Sequence, residues 1–470
     1  MVVLSGVFMA ALDTAIVNVA APHIRADLGV SGSALVLVVS GYTLAYAMLL
    51  ITGARLGDSH GHRRLFGLGL AGFTLASLLC GLAPGGAVLI GARVTQGGAA
   101  ALMVPQALAI IQLQFQGAER ARALGLYATT LSAGAVAGQI AGGALVTANL
   151  FGSSWRPVFL VNVPVGIALL VAVRRCLDPT RGQAVRRTDL PGVALLSTAV
   201  LLVLLPLILG QSQGWPAWCF GAFAAGAAVT AVALAPLRRR GRRSGDPLVD
   251  LSVFREPGVG RGLASLFASF AAYGGFLFAF SFYLQAGLGE SPLRSGLTYA
   301  PMATVFAVAS LGHTRLPGRL QPWLAPAGLA CLGAGYGALG LLNHSGRWQA
   351  GPSLVLLCLV GAGFGLGFSP VIGRTVARLG PRHAPDASGL INTTIQLGYV
   401  SGVAALGSYF LGNARPGDPV SAGHAFAGVS LALVLLAFVA ALFAATLRGT
   451  ASGALDLPMP TDAAPEAIVA

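Results

Sequence analysis

Apolar residues along this chain fall into runs of about twenty, separated by short polar segments rich in arginine. A bilayer core roughly 30 Å thick needs about twenty such residues per helix. Each run therefore predicts one crossing. The predicted spans are 2–21, 34–54, 65–83, 86–112, 122–147, 157–174, 190–210, 217–236, 259–286, 294–313, 322–342, 351–379, 386–412 and 424–447. The first run is read as a transmembrane helix and not a signal peptide. No positive segment precedes it, Asp13 interrupts it, and many spans follow.

Transporter folds are commonly built from repeats, and a weak repeat is visible. Ala54-Arg55-Leu56 is echoed by Gly318-Arg319-Leu320 at an offset of 264. The same offset carries Gly134 and Gly138 onto Gly398 and Gly402. The expected fold is an all-α integral membrane protein with 14 transmembrane helices arranged six, two and six. Residues 1–175 form an N-terminal six-helix bundle, and 176–258 a linker carrying two extra spans. Residues 259–448 form a C-terminal six-helix bundle, and 449–470 a disordered cytoplasmic tail.

Composition supports lipid as the main solvent. The chain is 55% hydrophobic and 9% charged, against about a quarter charged in average proteins. A net charge of +14 invites a nucleic-acid partner, but its distribution argues against one. All 29 basic residues are arginine, and they sit in short segments between apolar runs. With the N-terminus inside, 23 of them are cytoplasmic, 5 are outside, and Arg93 alone lies within a span. That asymmetry predicts both termini in the cytoplasm. The preference for arginine over lysine suggests a GC-rich bacterial genome, and hence the cytoplasmic (inner) membrane. All five tryptophans fall at predicted helix ends, where amphipathic rings prefer to lie. The five cysteines show no CxxC spacing and the seven histidines fall in or beside loops. No metal site, cofactor or disulfide framework is expected.

An ionised residue within a span is expensive and reads first as functional. Asp13 and Arg93 each lie seven or eight residues from the outer end of their spans, at matching depths of roughly 10–12 Å. Burial penalises an ionised carboxylate and a neighbouring guanidinium favours it. A balance between the two lets Asp13 exchange a proton beside a fixed Arg93. The alternative is a static ion pair joining spans 1 and 4. In span 5, Gly134, Gly138, Gly142 and Gly143 put small residues on one face, suiting either close helix packing or a moving seam. Residues 54–64 are expected to form a tight cytoplasmic turn and conformational latch. Within it Gly57 and Gly61 permit unusual angles, Asp58 caps or pairs, and Arg55, Arg63 and Arg64 anchor the inner face.

These residues together resemble the major facilitator superfamily, and within it the fourteen-span drug:proton antiporters. The resemblance covers nearly the whole chain. It rests on Leu12-Asp13-x-x-Ile16-Val17-Asn18-Val19-Ala20-x-Pro22, the loop after span 2, and Arg93-x-x-Gln96-Gly97-Gly98-Ala99-Ala100. Trp155-Arg156-x-x-Phe159-x-x-Asn162-Val163-Pro164-x-Gly166 adds to it. So do Tyr283-Leu284-Gln285 with Ser291-Pro292-x-x-x-Gly296, and Ser388-Gly389-x-x-Asn392-Thr393 with Gln396-Leu397-Gly398. The chain departs from the family pattern at Ala54, Ser59 and His62 in the loop, where glycine, arginine and arginine are usual. Gln139 replaces the proline of the family's export motif in span 5.

The resemblance implies an alternating-access exporter of small hydrophobic or monovalent cationic compounds. It would draw on the proton gradient, act in the bilayer as a monomer and use no other energy source. Substrate-cavity candidates are Tyr42, Tyr46, Gln96, Tyr273, Phe276, Tyr283, Asn392 and Gln396. The rival readings are a proton-linked uptake carrier or facilitator on the same fold, and a membrane receptor or scaffold that moves nothing. No nucleophile–base set within the spans supports an enzyme.

Overall fold

The computed structural model describes residues 1–177, 190–210, 213–240, 256, 258–378 and 384–447. The expected tail and much of the expected linker lie outside these residues. The N-terminal half consists of α1 (Val2–Leu28), α2 (Gly32–His60), α3 (His62–Gly81), α4 (Gly86–Gln114), α5 (Gly117–Ala148), α6 (Pro157–Leu160) and α7 (Asn162–Cys176). Two helices follow, α8 (Leu190–Leu209) and α9 (Ala217–Arg240). The C-terminal half runs through α10 (Val259–Phe282), α11 (Pro292–Thr298), α12 (Ala300–Gly312), α13 (Gln321–Asn343), α14 (Ala350–Ala377), α15 (Ala384–Gly402), α16 (Ser408–Asn413) and α17 (Pro419–Ala445). Wider π-turns at Tyr283–Gly287 and Val403–Gly407 extend α10 and join α15 to α16.

Among the described residues, ten helical segments are long and apolar enough to cross a membrane. The four other expected spans are helical too, and two of them are interrupted. Helices α8 and α9 run for 20 and 24 residues. Tyr299 separates α11 from α12, and a π-turn separates α15 from α16. Backbone polar groups in lipid must be satisfied internally, so an interrupted span survives only against protein neighbours. α11 has such a neighbour in α5, and α15 has α10 and α2.

The two halves repeat one packing scheme. In the first, α1 packs against α5, α2 against α4, and α3 against α4 and α7. In the second, α10 packs against α15, α12 against α14, and α13 against α14 and α17. Lipid gives little hydrophobic drive for helices to associate, so close backbone approach between small residues matters more. Gly134 and Gly138 lie on the backbone of α1 at Phe8 and Leu12, and Gly398 and Gly402 on that of α10 at Phe267 and Ala271. Helices α8 and α9 pack on each other, and α8 leans on α2.

Two boundaries differ from the sequence expectation. Pro22 does not end the first helix, which continues through His23, Arg25 and Asp27. The tight turn expected over residues 54–64 narrows to Gly61, because α2 stays helical to His60 and α3 begins at His62. Only Gly61 breaks the chain, at φ 92°, a conformation glycine adopts at little steric cost. Nothing from Ala54 to Ser59 removes a backbone donor, so the helix has no reason to stop earlier.

Candidate functional site

Asp13 and Arg93 meet inside the N-terminal half. Arg93 Nη1 donates to Asp13 Oδ2 at 2.5 Å, and both side chains are buried at 1% and 0% exposure. The second carboxylate oxygen accepts from Gln96 Nε2 at 2.9 Å and from Asn162 Nδ2 at 3.0 Å. Arg93 also donates from Nη1 to Gln96 Oε1 at 2.8 Å and from Nε to the Val38 carbonyl at 3.2 Å. Its guanidinium lies 4.5 Å from the Tyr42 ring centroid and 5.6 Å from that of Phe159. Asn162 donates to Ser77 Oγ at 3.0 Å, and Ser77 donates on to the Phe159 carbonyl at 2.9 Å. Three helices, α1, α4 and α7, thus meet at one carboxylate, and α3 joins them through Ser77 and Asn162. A buried charge is tolerable only when paired and hydrogen-bonded in this way.

A cavity of about 650 Å³ lies between the two halves. On its N-terminal side are Ala11, Thr14, Tyr46, Tyr127 and Gln139; on its C-terminal side are Tyr273, Phe364, Phe368, Asn392 and Gln396. Asp13 does not line it, whereas its neighbour Thr14 does. Phe364 stacks between Tyr273 (4.8 Å, 11°) and Phe368 (5.6 Å, 11°), making a continuous aromatic wall.

The cavity reaches one end of the molecule and is shut at the other. It extends to Tyr127, in the early turns of α5, and to Val376, the penultimate residue of α14. At the far end the halves are tied together. Asn18 Nδ2 donates to Tyr399 Oη at 2.9 Å, and Ser281 Oγ to the Asn18 carbonyl at 3.0 Å. Gln285 Nε2 donates to the Val19 carbonyl at 3.0 Å, and the Leu293 amide to Thr147 Oγ1 at 3.0 Å. Gly143 rests on the Pro292–Leu293 backbone, and Gly296 on that of Gln139.

Several cavity candidates lie elsewhere. Gln96 belongs to the Asp13 network. Tyr42 stacks behind Tyr46 at 6.2 Å with its ring facing Arg93. Phe276 packs against Phe280 and Tyr336 in the core of the C-terminal half. Tyr283 stacks on Phe426 at 5.0 Å and donates its hydroxyl to the Asn343 carbonyl. Tyr46, Tyr273, Asn392 and Gln396 do face the cavity. Asn162 was quoted only within a motif, yet it holds Asp13 directly. Its signal was a carboxamide inside an otherwise apolar run.

At the end where the cavity opens, Gly57 packs against Gln106 and His62. His62 Nδ1 and Gln106 Oε1 are 2.8 Å apart, and Gln106 Nε2 donates to the Gly53 carbonyl at 2.7 Å. Arg63 donates to the Arg174 carbonyl at 3.0 Å. Arg64 is exposed and Arg55 half-buried. The side chain of Asp58 lies outside the described part. Along α5, Gly134, Gly138 and Gly142 all face α1, and Gly143 alone faces α11. Among the described residues, no cluster of histidine, cysteine, aspartate or glutamate could hold a metal ion.

Known proteins resemble this chain along most of its length. The chain is 38% identical to a probable actinorhodin transporter of Streptomyces coelicolor over 421 residues, covering 87% of this chain and 72% of the relative. It is 35% identical to the cephamycin export protein CmcT of Amycolatopsis lactamdurans, covering 96% and 93%. Among solved structures, a bacterial homologue of the human lysosomal transporter Spinster, inward-facing and unoccupied, matches with a TM-score of 0.67. Its identity is 18%, with 95% of each chain covered. The profile of the Major Facilitator Superfamily matches residues 3–403, and the chain belongs to that superfamily.

Proposed function

We propose that this protein is a proton-coupled antiporter that exports small hydrophobic compounds, such as antibiotics, across a bacterial cytoplasmic membrane. The observation that carries the reading is the position of Asp13. Among the described residues it is the one fully buried carboxylate, and it is held by Arg93, Gln96 and Asn162. Its chain neighbour Thr14 lines the cavity between the halves. A proton on Asp13 cancels the charge that Arg93 pairs with, so protonation loosens α1 from α4 beside the cargo site. Arg93 keeps its own proton throughout. The family and the relatives, a cephamycin export protein among them, favour export.

In this reading the chain crosses the membrane fourteen times with both termini inside, and a single copy suffices. The arginine-rich helix ends, with Arg55, Arg63, Arg174 and Arg374, share the side on which the cavity opens. The positive-inside rule makes that side cytoplasmic, and the state is inward-open and ready to load. The contacts of Gly57, His62 and Arg63 with α4 and α7 are the latch that re-forms differently when the inner side closes. The glycine face of α5 keeps α1 and α5 moving as a unit. A pH gradient of one unit supplies about 1.4 kcal/mol per proton, and ~100 mV adds about 2.3 kcal/mol per charge.

Inside-out vesicles taking up an uncharged fluorescent aromatic compound, with a pH-sensitive dye reporting proton release, test the reading. Asp13→Asn should abolish cargo-dependent proton movement and gradient-driven uptake. Uptake that continues undiminished under a pH gradient alone would rule out the coupling role.

A further inference from the structure

The cavity contains one side chain that the fold leaves unserved. Gln139 is 5% exposed, and neither its Nε2 nor its Oε1 has a hydrogen-bond partner. A buried donor and acceptor left unpaired are a standing cost that needs an explanation. The position is not a slack one. On one side Gly138 brings the Leu12 carbonyl and Ala15 within 2.5 and 2.9 Å of where a Cβ would stand. On the other, Gly296 of α11 rests on the Gln139 backbone carbonyl itself. The residue is clamped between α1 and α11 and is among those that line the cavity, with both polar atoms of its carboxamide enclosed.

The rest of the wall defines what such a carboxamide can meet. Among the described residues that line it, none is an aspartate, glutamate, lysine, arginine or histidine. A cation entering here would leave its water without gaining a counter-charge. The aromatic wall of Tyr273, Phe364 and Phe368 instead offers flat faces to a flat molecule. A glutamine side chain presents an acceptor and a donor in one plane, which pairs with an edge carrying the complementary two groups.

Building on the export reading, we propose that Gln139 is a specificity-determining residue. It selects uncharged, flat aromatic cargo that carries an adjacent donor and acceptor, such as a primary amide, while the rings lie against the aromatic wall. A site built around a hydrogen bond discriminates strongly against ligands that lack it, because its own polar groups are then stranded.

The test is a fluorescence titration of the full chain in lipid nanodiscs with three probes of similar ring size. These are anthracene-2-carboxamide, methyl anthracene-2-carboxylate and N-methylacridinium. The wild type should bind the carboxamide about tenfold more tightly than the ester and more tightly than the cation. Gln139→Leu, and independently the closer-shaped Gln139→Met, should weaken carboxamide binding about tenfold, equal to 1.4 kcal/mol, and leave the ester within about twofold. No carboxamide binding to the wild type, equal loss for all three probes, no loss at all, or tightest binding of the cation would each overturn the proposal. Because no gradient is present, the titration stands apart from coupling. An Asp13→Asn protein that still pumps would sink antiport without altering these affinities, and a flat titration would leave proton-driven efflux untouched.

Discussion

Arg93→Met isolates what the buried ion pair contributes. The guanidinium donates to Asp13 at 2.5 Å, to Gln96 at 2.8 Å and to the Val38 carbonyl at 3.2 Å, and two aromatic rings flank it. Methionine restores much of the volume and none of the donors. Asp13 would keep Gln96 and Asn162 on Oδ1, while Oδ2 would lose its partner. Breaking a buried pair from one side costs about 3–5 kcal/mol. Asp13→Asn breaks the same pair from the other side and leaves the guanidinium without its counter-charge, so it should cost a similar amount, about 3–5 kcal/mol. The double variant Asp13→Asn with Arg93→Met strands no charge and should recover much of the Arg93→Met loss. At roughly 2–4 °C per kcal/mol for a unit of 150–250 residues, Arg93→Met should lower the unfolding midpoint by about 6–20 °C. Tryptophan fluorescence of the detergent-solubilised protein during heating reads all three variants. If the double loss equals the sum of the single losses, the pair is not acting as a pair.

Two further outcomes follow from the geometry. Gly138→Ala puts a methyl group 2.5 Å from the Leu12 carbonyl and should cut yield of folded protein by about 1–3 kcal/mol of overpacking, whereas Gly91→Ala, with nothing within 4 Å, should be silent in a size-exclusion and expression assay. Thr147→Cys with Leu293→Cys, in a chain cleared of its five native cysteines, should cross-link readily in the cargo-free protein under copper phenanthroline. A failure to cross-link would show that this end of the seam is not shut.

What could be read from sequence followed from how lipid treats each residue type. Asp13 and Arg93 stood out because nothing else ionised interrupts the neighbouring runs, and equal depth on two helices sufficed to pair them. Asn162 belongs to the same network but carries no charge, so only the fold reveals that α7 delivers it to Asp13. The aromatic candidates divided by helix phase. Tyr42 and Tyr46 are four residues apart on one face of α2, yet one turn separates the cavity from the guanidinium. Phe276 and Tyr283 lie on α10 and its π-turn, where they pack on α13 and α17 in the core of the half. Hydropathy could not reveal that, because cavity walls and packed cores use the same rings. The turn expected over 54–64 is confined to Gly61 for a related reason: polarity marks where lipid ends, not where a helix must.

Thr14 and Asp13 are consecutive, which places them about 100° apart around the α1 axis. One looks into the cavity between the halves and the other into a sealed polar core. A single helix is therefore the partition between two compartments, which under the proposed antiport would hold the cargo and the driving ion. Such a partition would let both be occupied together, so that an uncharged passenger need not displace the proton by competing for the same oxygen atoms. Whatever communication passes between them must cross the thickness of that one wall.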